Sequence, residues 1–308
     1  MPEILCFGEP MLEFNQALPG PDGRQLWLEG HGGDASNAAV AAARQGASVG
    51  MVTALGPDSP GDSLIAMWHR EGVETALVRR DPDAQTAIYF VTHNETGHEF
   101  TFYRRGSAAS RYRPTDLPED EIRTARVLHL TGITLGISEA SCDAAFRAIE
   151  VARAAGVTVS FDTNLRQRLW PLKRASAAIH TAAAMADIVF PSYDDARALT
   201  GRTDPDRIVD FYLDVCPLVL LKMGADGLLV ATREARARLP GHRVAAVDAT
   251  GAGDTLAGSF LARAVQGDDV WAAARYANAA AALSTTGYGA VAPIPTAAEV
   301  MEFLEENR

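Results

Sequence analysis

The chain has 308 residues, 47% hydrophobic and 22% charged, so it can bury a sizeable core and is neither disordered nor collagen-like. Its 28 basic against 39 acidic residues leave a formal charge of −11, without the basic footprint of a nucleic-acid binder. Cys6, Cys142 and Cys216 stand far apart with no C-x-x-C pair, which argues against a zinc site or disulfide framework and suits a reducing, cytoplasmic setting.

The apolar run Ile4–Gly8 lacks a basic flank and stops at Gly8-Glu9, so it reads as a buried strand rather than a signal peptide. No apolar window is long enough to span a membrane. Met11–Gln16 and Gln25–Glu29 read as a hairpin around Pro19-Gly20-Pro21-Asp22-Gly23. Asp34–Gln45 reads as a helix with Asp34 or Ser36 near its cap and Gly46 at its end. A strand at Val49–Leu55 and a helix at Ser59–Glu71, stopped by Gly72, follow. Ala87–His93 and His98–Tyr103 form a second hairpin around Asn94-Glu95-Thr96-Gly97. Beyond it, strands at Val127–Thr131, Val157–Asp162, Ile188–Phe190, Leu218–Lys222 and Leu228–Ala231 are interleaved or followed by helices at Glu139–Ala155, Gly253–Gln266, Val270–Ser284 and Thr296–Glu306.

Such alternation predicts an α/β fold with a mostly parallel central sheet covered by helices on both faces. The two hairpins form a small antiparallel sheet to one side, at residues 11–30 and 86–105, inserted in a single domain of residues 1–308. That sheet is either a plain edge or a lid over the carboxyl ends of the parallel strands, where ligands bind in such folds.

The sharpest segment is Asp248-Ala249-Thr250-Gly251-Ala252-Gly253-Asp254. Gly251 and Gly253 permit close backbone approach, and a helix that begins here turns free N–H groups toward an anion. Asp254 sits in its first turn, so a carboxylate and an anion hole meet at one point. Leu256 stands where a dinucleotide fingerprint needs glycine, and no Walker G-K-[ST] is present. On spacing alone, an Asp-capped helix after a glycine turn remains open.

This segment resembles the second signature of the PfkB/ribokinase family of carbohydrate kinases, Asp-Thr-Thr-Gly-Ala-Gly-Asp, with Ala249 departing from it. Gly32-Gly33-Asp34-Ala35-Ser36-Asn37 resembles the first part of the family pattern, and Lys222-Met223-Gly224-Ala225-Asp226-Gly227 its nucleotide loop. The resemblance extends over essentially the whole chain and implies a ribokinase-like three-layer α/β/α fold with a β lid. Within the family, three stretches resemble the 2-keto-3-deoxygluconate kinases: Phe100–Ser110, Leu128–Ile133 and Phe161–Trp170. The implied reaction is transfer of the γ-phosphoryl of ATP to the terminal hydroxyl of that sugar acid; the alternatives are another sugar kinase of the family, acting on fructose, ribose or 5-keto-2-deoxygluconate, and a non-catalytic sugar-acid sensor on the same fold.

The roles implied by the resemblance are specific. Asp254 is the base, and the N–H groups of Gly251, Ala252 and Gly253 with that of Asp254 form the anion hole. The substrate is lined by Gly33, Asp34, Asn37, Tyr89, Phe102, Tyr103, Arg104, Ile133, Arg166 and Asp254. The nucleotide is lined by Asn164, Arg166, Lys222, Gly224, Ala225, Gly227, Gly251, Gly253 and Asn278. ATP and Mg2+ are required, and K+ is implied near Asp248 and Thr250. The metal-linked Asn-x-x-Glu motif is replaced by Ser192-Tyr193-Asp194-Asp195. Independently of family, a sugar acid needs a fixed cation, and a guanidinium forks a carboxylate well. Arg104 and Arg166 are candidates for that task or surface arginines in salt bridges. The lid strands are candidates for pairing two copies of the chain. The expected partners are small molecules, not nucleic acid or membrane.

Other residues read as structural. His93 and His98 are expected to face water, and His129 to be a satisfied core histidine. Trp68 and Trp170 are packing residues, and Glu119-Asp120-Glu121 is a solvated helix start. Tyr288 is either a hydroxyl donor to the substrate or packing on the nucleotide side.

Overall fold

Ile4 and Cys6 point to one face of a central sheet, and Leu5 and Phe7 to the other, and all four are buried. A strand covered on both faces has no polar side to alternate with, which is why it reads as a continuous apolar run. A computed structural model describes residues 1–20, 22–94 and 97–307 (backbone alone at 94, 97 and 98). The hairpin tips at Pro21 and at Glu95 and Thr96, and the side chain of His98, lie outside the described residues.

The strands Ile4–Phe7, Val49–Leu55, Val127–Thr131, Thr158–Asp162, Ile188–Phe190 and Leu218–Lys222 pair in parallel. Leu228–Thr232 and Arg236–Leu239 extend one edge antiparallel, and the short strands Val73–Glu74 and Val78–Arg80 close the other. Ile4–Phe7 lies between Val49–Leu55 and Val127–Thr131, so the chain winds outward in both directions from it. The crevice beyond the carboxyl ends of this middle pair is the topological switch point.

Helices Asp34–Arg44, Ala252–Val265 and Val270–Ser284 pack on one face through Val40, Leu256, Phe260 and alanines. Helix Glu139–Ala154 and its neighbours cover the other through Ala144, Ala148 and Ile149. Among the described residues the structure adds helices not anticipated from the sequence, Leu172–Met185, Tyr193–Thr200, Pro205–Leu213 and the short Gly132–Gly136. The first shows the reason, since its buried stripe of Ala175, Ile179, Ala182 and Ala183 is mostly alanine and gives a weak periodic signal.

The small sheet contains the expected hairpins, Met11–Gln16 with Trp27–Gly32 and Ile88–Asn94 with Gly97–Tyr103. They join side by side through a parallel pairing of Leu12–Asn15 with Ile88–Val91. Its outer face stacks Phe14 on Phe90, with Trp27 and Tyr103 edge-on to Phe90. Trp68 is fully buried, and its indole N–H donates to Ser36 Oγ at 2.9 Å. His129 is a core residue bonded to Ser160 Oγ at 2.9 Å, its pKa lowered to about 4 by burial. His93 is exposed, and Glu119 opens the helix Glu119–Thr124 with Arg123 and Arg147 as partners.

Candidate active site

The parallel strands deliver their polar ends to one place. Glu9 follows the first strand, while Thr131, Asp162 and Lys222 end theirs. Asp34 opens its helix after Gly33, whose φ of 102° is left-handed. A Cβ at Gly33 would run into the Glu9 carbonyl and Pro10 Cα, so the glycine lets the chain turn tightly into the cleft.

Neither Asp34 nor Ser36 caps that helix, contrary to the sequence reading: no side chain caps it. The Asp34 carboxylate instead accepts from the Thr131 hydroxyl and, at 3.2 Å, from Asn164 Nδ2. Its Oδ1 is buried without a partner, which leaves an acceptor facing the cleft. Burial pushes its pKa up, and Thr131, Arg166 and Arg104 oppose that. Asn164 is the non-glycine residue with positive φ, 30°, among the described residues, and its N–H is held by Asp162 Oδ1 at 3.1 Å.

Asp254 lies in the first turn of helix Ala252–Val265, capped by Gly251 at φ 77°. Asn37 Nδ2 donates to its Oδ2 at 2.8 Å. Desolvation, then the negative charge of Asp34, pushes the Asp254 carboxyl up to about 7, against the pull of Asn37 and Lys222. A carboxylate that titrates near neutrality can accept a proton from an attacking hydroxyl. The N–H of Ala252 bonds to Ala249 O at 3.2 Å, so that donor of the expected anion hole is engaged within its own turn. The signature follows an irregular stretch rather than a strand, since the preceding strand ends at Leu239.

Lys222 forms a buried ion pair with Asp162 and lies against Gly253, where a Cβ would come within 3.1 Å of its Nζ. Gly253→Ala is therefore expected to push the ammonium off the helix start and lower kcat/KM for ATP roughly tenfold or more. Steady-state kinetics with ATP varied at saturating sugar checks this. A Cβ at Gly227 would meet the Gly241 N–H at 2.5 Å, and Asn278 Nδ2 donates to Pro240 O at 2.9 Å. The loop Gly224–Asp226, the Pro240–Gly241 corner and Asn278 thus meet beside Lys222. Ser192 caps helix Tyr193–Thr200, and Asp195 Oδ2 accepts the Leu165 N–H at 3.0 Å. Asp162 and Asp195, two carboxylates on this side, suit a hydrated Mg2+ that enters with phosphates. The Asp248 carboxylate is stitched to Thr250 and to the Gly289 N–H at 3.0 Å, an anionic loop that fits a monovalent cation.

The lid contributes Tyr89, whose hydroxyl donates to buried Glu13, and Phe102, stacked on Tyr89 at 5.5 Å. Tyr103 parts from them. Successive strand residues face opposite ways, and Tyr103 points to the outer face, 61% exposed, so it does not join the other lining residues. It lines instead an outer cavity of about 520 Å³ with Arg105 and Ser107. Arg104 lies just past the strand, its side chain 13% exposed, facing Glu9 at 2.5 Å and covering the Phe102 ring. Ile133 is buried in the short helix after Thr131, whose hydroxyl accepts its N–H at 3.0 Å. Arg166 is exposed and donates to Leu165 O at 3.0 Å. Tyr288 is 79% exposed. Sequence reasoning missed Glu9, Glu13 and Thr131. Position at a strand's carboxyl end was the available signal for Glu9 and Thr131; Glu13, inside a lid strand, carried none.

A switch point flanked by a small sheet, with a buried acid at a helix start and a lysine beside it, is the arrangement expected of a phosphoryl-transfer enzyme of the sugar-kinase class. The model of the pfkB family carbohydrate kinases matches residues 1–297, and the chain belongs to that family. It is 34% identical to fructokinase-1 of Oryza sativa subsp. japonica, over 98% of this chain and 97% of that one. It is 33% identical to the 2-dehydro-3-deoxygluconokinase of Thermoproteus tenax, over 99% and 95%. Among solved structures it is similar to the Xylella fastidiosa fructokinase with bound ATP, with a TM-score of 0.90, 29% identity and coverage of 100% and 99%. It is also similar to a Vibrio cholerae fructokinase double mutant in fructose-, ADP- and potassium-bound form, with a TM-score of 0.86, 28% identity and coverage of 99% and 98%.

Proposed function

We propose that the protein transfers the γ-phosphoryl of ATP to the 6-hydroxyl of 2-keto-3-deoxygluconate. The observation that carries the acid specificity is Arg104: its guanidinium is enclosed beside Glu9, and its buried Nε makes no hydrogen bond. An open guanidinium donor calls for an acceptor, and a sugar carboxylate supplies one. Arg166 stands on the same side, since both arginines act on the buried Asp34 carboxyl. Asp34 and Asn37 take sugar hydroxyls, and Asp254 accepts the proton of the attacking one. Lys222 with the Gly253 and Asp254 N–H groups stabilises charge on the transferring phosphoryl. Mg2+ spreads phosphate charge when bound, held from the protein side by Asp162 and Asp195. Asp248 and Thr250 would hold a monovalent cation, whose charge would favour the anionic phosphates.

The second reading is a fructokinase. Glu9 offsets the charge of Arg104, and a neutral ketose presents a comparable terminal hydroxyl. A panel of 2-keto-3-deoxygluconate, fructose and ribose with ATP and Mg2+ decides. The acid is expected to exceed fructose by about 10²-fold in kcat/KM, the scale of one charged hydrogen-bonded contact. The reverse order makes the protein a neutral-sugar kinase, and turnover of none of the three leaves another sugar specificity, such as 5-keto-2-deoxygluconate, or a sensor on the same fold.

A further inference from the structure

Glu9 has no place in the chemistry above, yet it is a fully enclosed acid of the cleft, with a side chain 0% exposed. It is held on three sides. It follows the strand Ile4–Phe7 at the switch point. Its carbonyl abuts Gly33, the cap of the helix that carries Asp34 and Asn37. Its Oε1 accepts from the buried Ser107 hydroxyl at 2.5 Å. The remaining oxygen, Oε2, faces Arg104 Nη2 at 2.5 Å.

That contact engages one end of the guanidinium, while Arg104 Nε is buried without a hydrogen bond. A forked carboxylate–guanidinium pair would use two donors and leave the arginine satisfied. Here the carboxylate holds the guanidinium by Nη2 and Nε stays open. A long side chain just past a lid strand would otherwise lose entropy on being ordered by substrate. We infer that Glu9 is a positioning residue that, clamped by Ser107, aims Arg104 at the substrate carboxylate and so sets acid-sugar specificity through it. This rests on the acid-sugar reading above.

The test compares wild type, Glu9→Ala, Glu9→Gln, Ser107→Ala, Arg104→Ala and the Glu9→Ala/Arg104→Ala double variant with 2-keto-3-deoxygluconate and ATP. Glu9→Ala is expected to raise the KM for the sugar acid about 30-fold or more, with kcat within about threefold and the KM for ATP unchanged. Glu9→Gln is expected to stay within about threefold of wild type, with its Oε1 toward Arg104 and its amide toward the Ser107 hydroxyl, which also accepts. The double variant should be no worse than Arg104→Ala alone, because the two residues act as one unit. Should Glu9→Ala fail to fold, Ser107→Ala releases the clamp and is expected to raise that KM about 3–10-fold, the worth of one hydrogen bond to a charged group. The inference is overturned if Arg104→Ala is impaired while Glu9→Ala stays within about twofold of wild type, if Glu9→Gln is as impaired as Glu9→Ala, if the two losses multiply, or if Ser107→Ala is unchanged. A wild type inactive on the sugar acid overturns the acid-sugar reading and this inference together. A wild type active on it with Glu9→Ala unimpaired overturns this inference alone.

Discussion

Asp254→Asn is expected to lower kcat by roughly 10²–10⁴-fold, the usual scale for a positioned general base. The substitution keeps the side chain's size and its hydrogen-bonding capacity toward Asn37, whose Nδ2 lies 2.8 Å from Asp254 Oδ2. It removes the charge that accepts the proton. Sugar and nucleotide binding should change far less, which a KM-against-kcat comparison or isothermal titration with a non-hydrolysable nucleotide reads out. A second signature follows from the raised pKa of about 7. The base must be deprotonated to act, so wild-type kcat/KM for the sugar should fall tenfold per pH unit below that value and level off above it. A variant retaining half of wild-type turnover, or a wild-type profile flat from pH 5 to 8, would remove Asp254 from the role of base.

Arg104→Ala is expected to raise the KM for the sugar acid strongly while the KM for ATP stays nearly unchanged. Truncating a charge in a largely desolvated site costs about 2–5 kcal/mol. Arg105→Ala is the internal control, because Arg105 is exposed on the outer side while Arg104 is enclosed. The variant has a stability signature too. Without Arg104, the fully buried Glu9 loses its counter-charge, and breaking such a pair costs about 3–5 kcal/mol. Burial holds the Glu9 pKa above its ordinary value, and Arg104 works against that rise. In the variant the folded state therefore favours protonated Glu9. Stability relative to wild type should be best at acid pH and decline as pH rises through the folded-state value, the sign for a raised carboxyl. Thermal melts from pH 4 to 8 measure this. A variant with wild-type kinetics on the sugar acid would leave the neutral-sugar reading as the better account.

The sequence by itself determined the layered fold and much of the cleft. Strands enclosed on both faces must be apolar throughout, so Val49–Leu55, Ile188–Phe190 and Leu218–Lys222 are legible from composition and their turns. The glycines and Asp254 of the signature are legible through the family resemblance, since on spacing alone an acid at a helix start after a glycine turn has an ordinary structural use. What the tertiary structure alone decided concerns partners distant in the chain. Asp34 looks like a cap residue locally, yet Thr131 and Asn164, 97 and 130 residues away, draw its carboxylate into the cleft. Tyr103 and Phe102 are neighbours in sequence, and only the register of Tyr89 against Phe102 puts one inside and the other out. Glu9 is marked locally only by its place after a strand's carboxyl end, and the meaning of a lone acid there depends on whether water or Arg104 surrounds it. Local sequence encodes period and turn chemistry, whereas the charge state and direction of a side chain are set by what the fold packs against it.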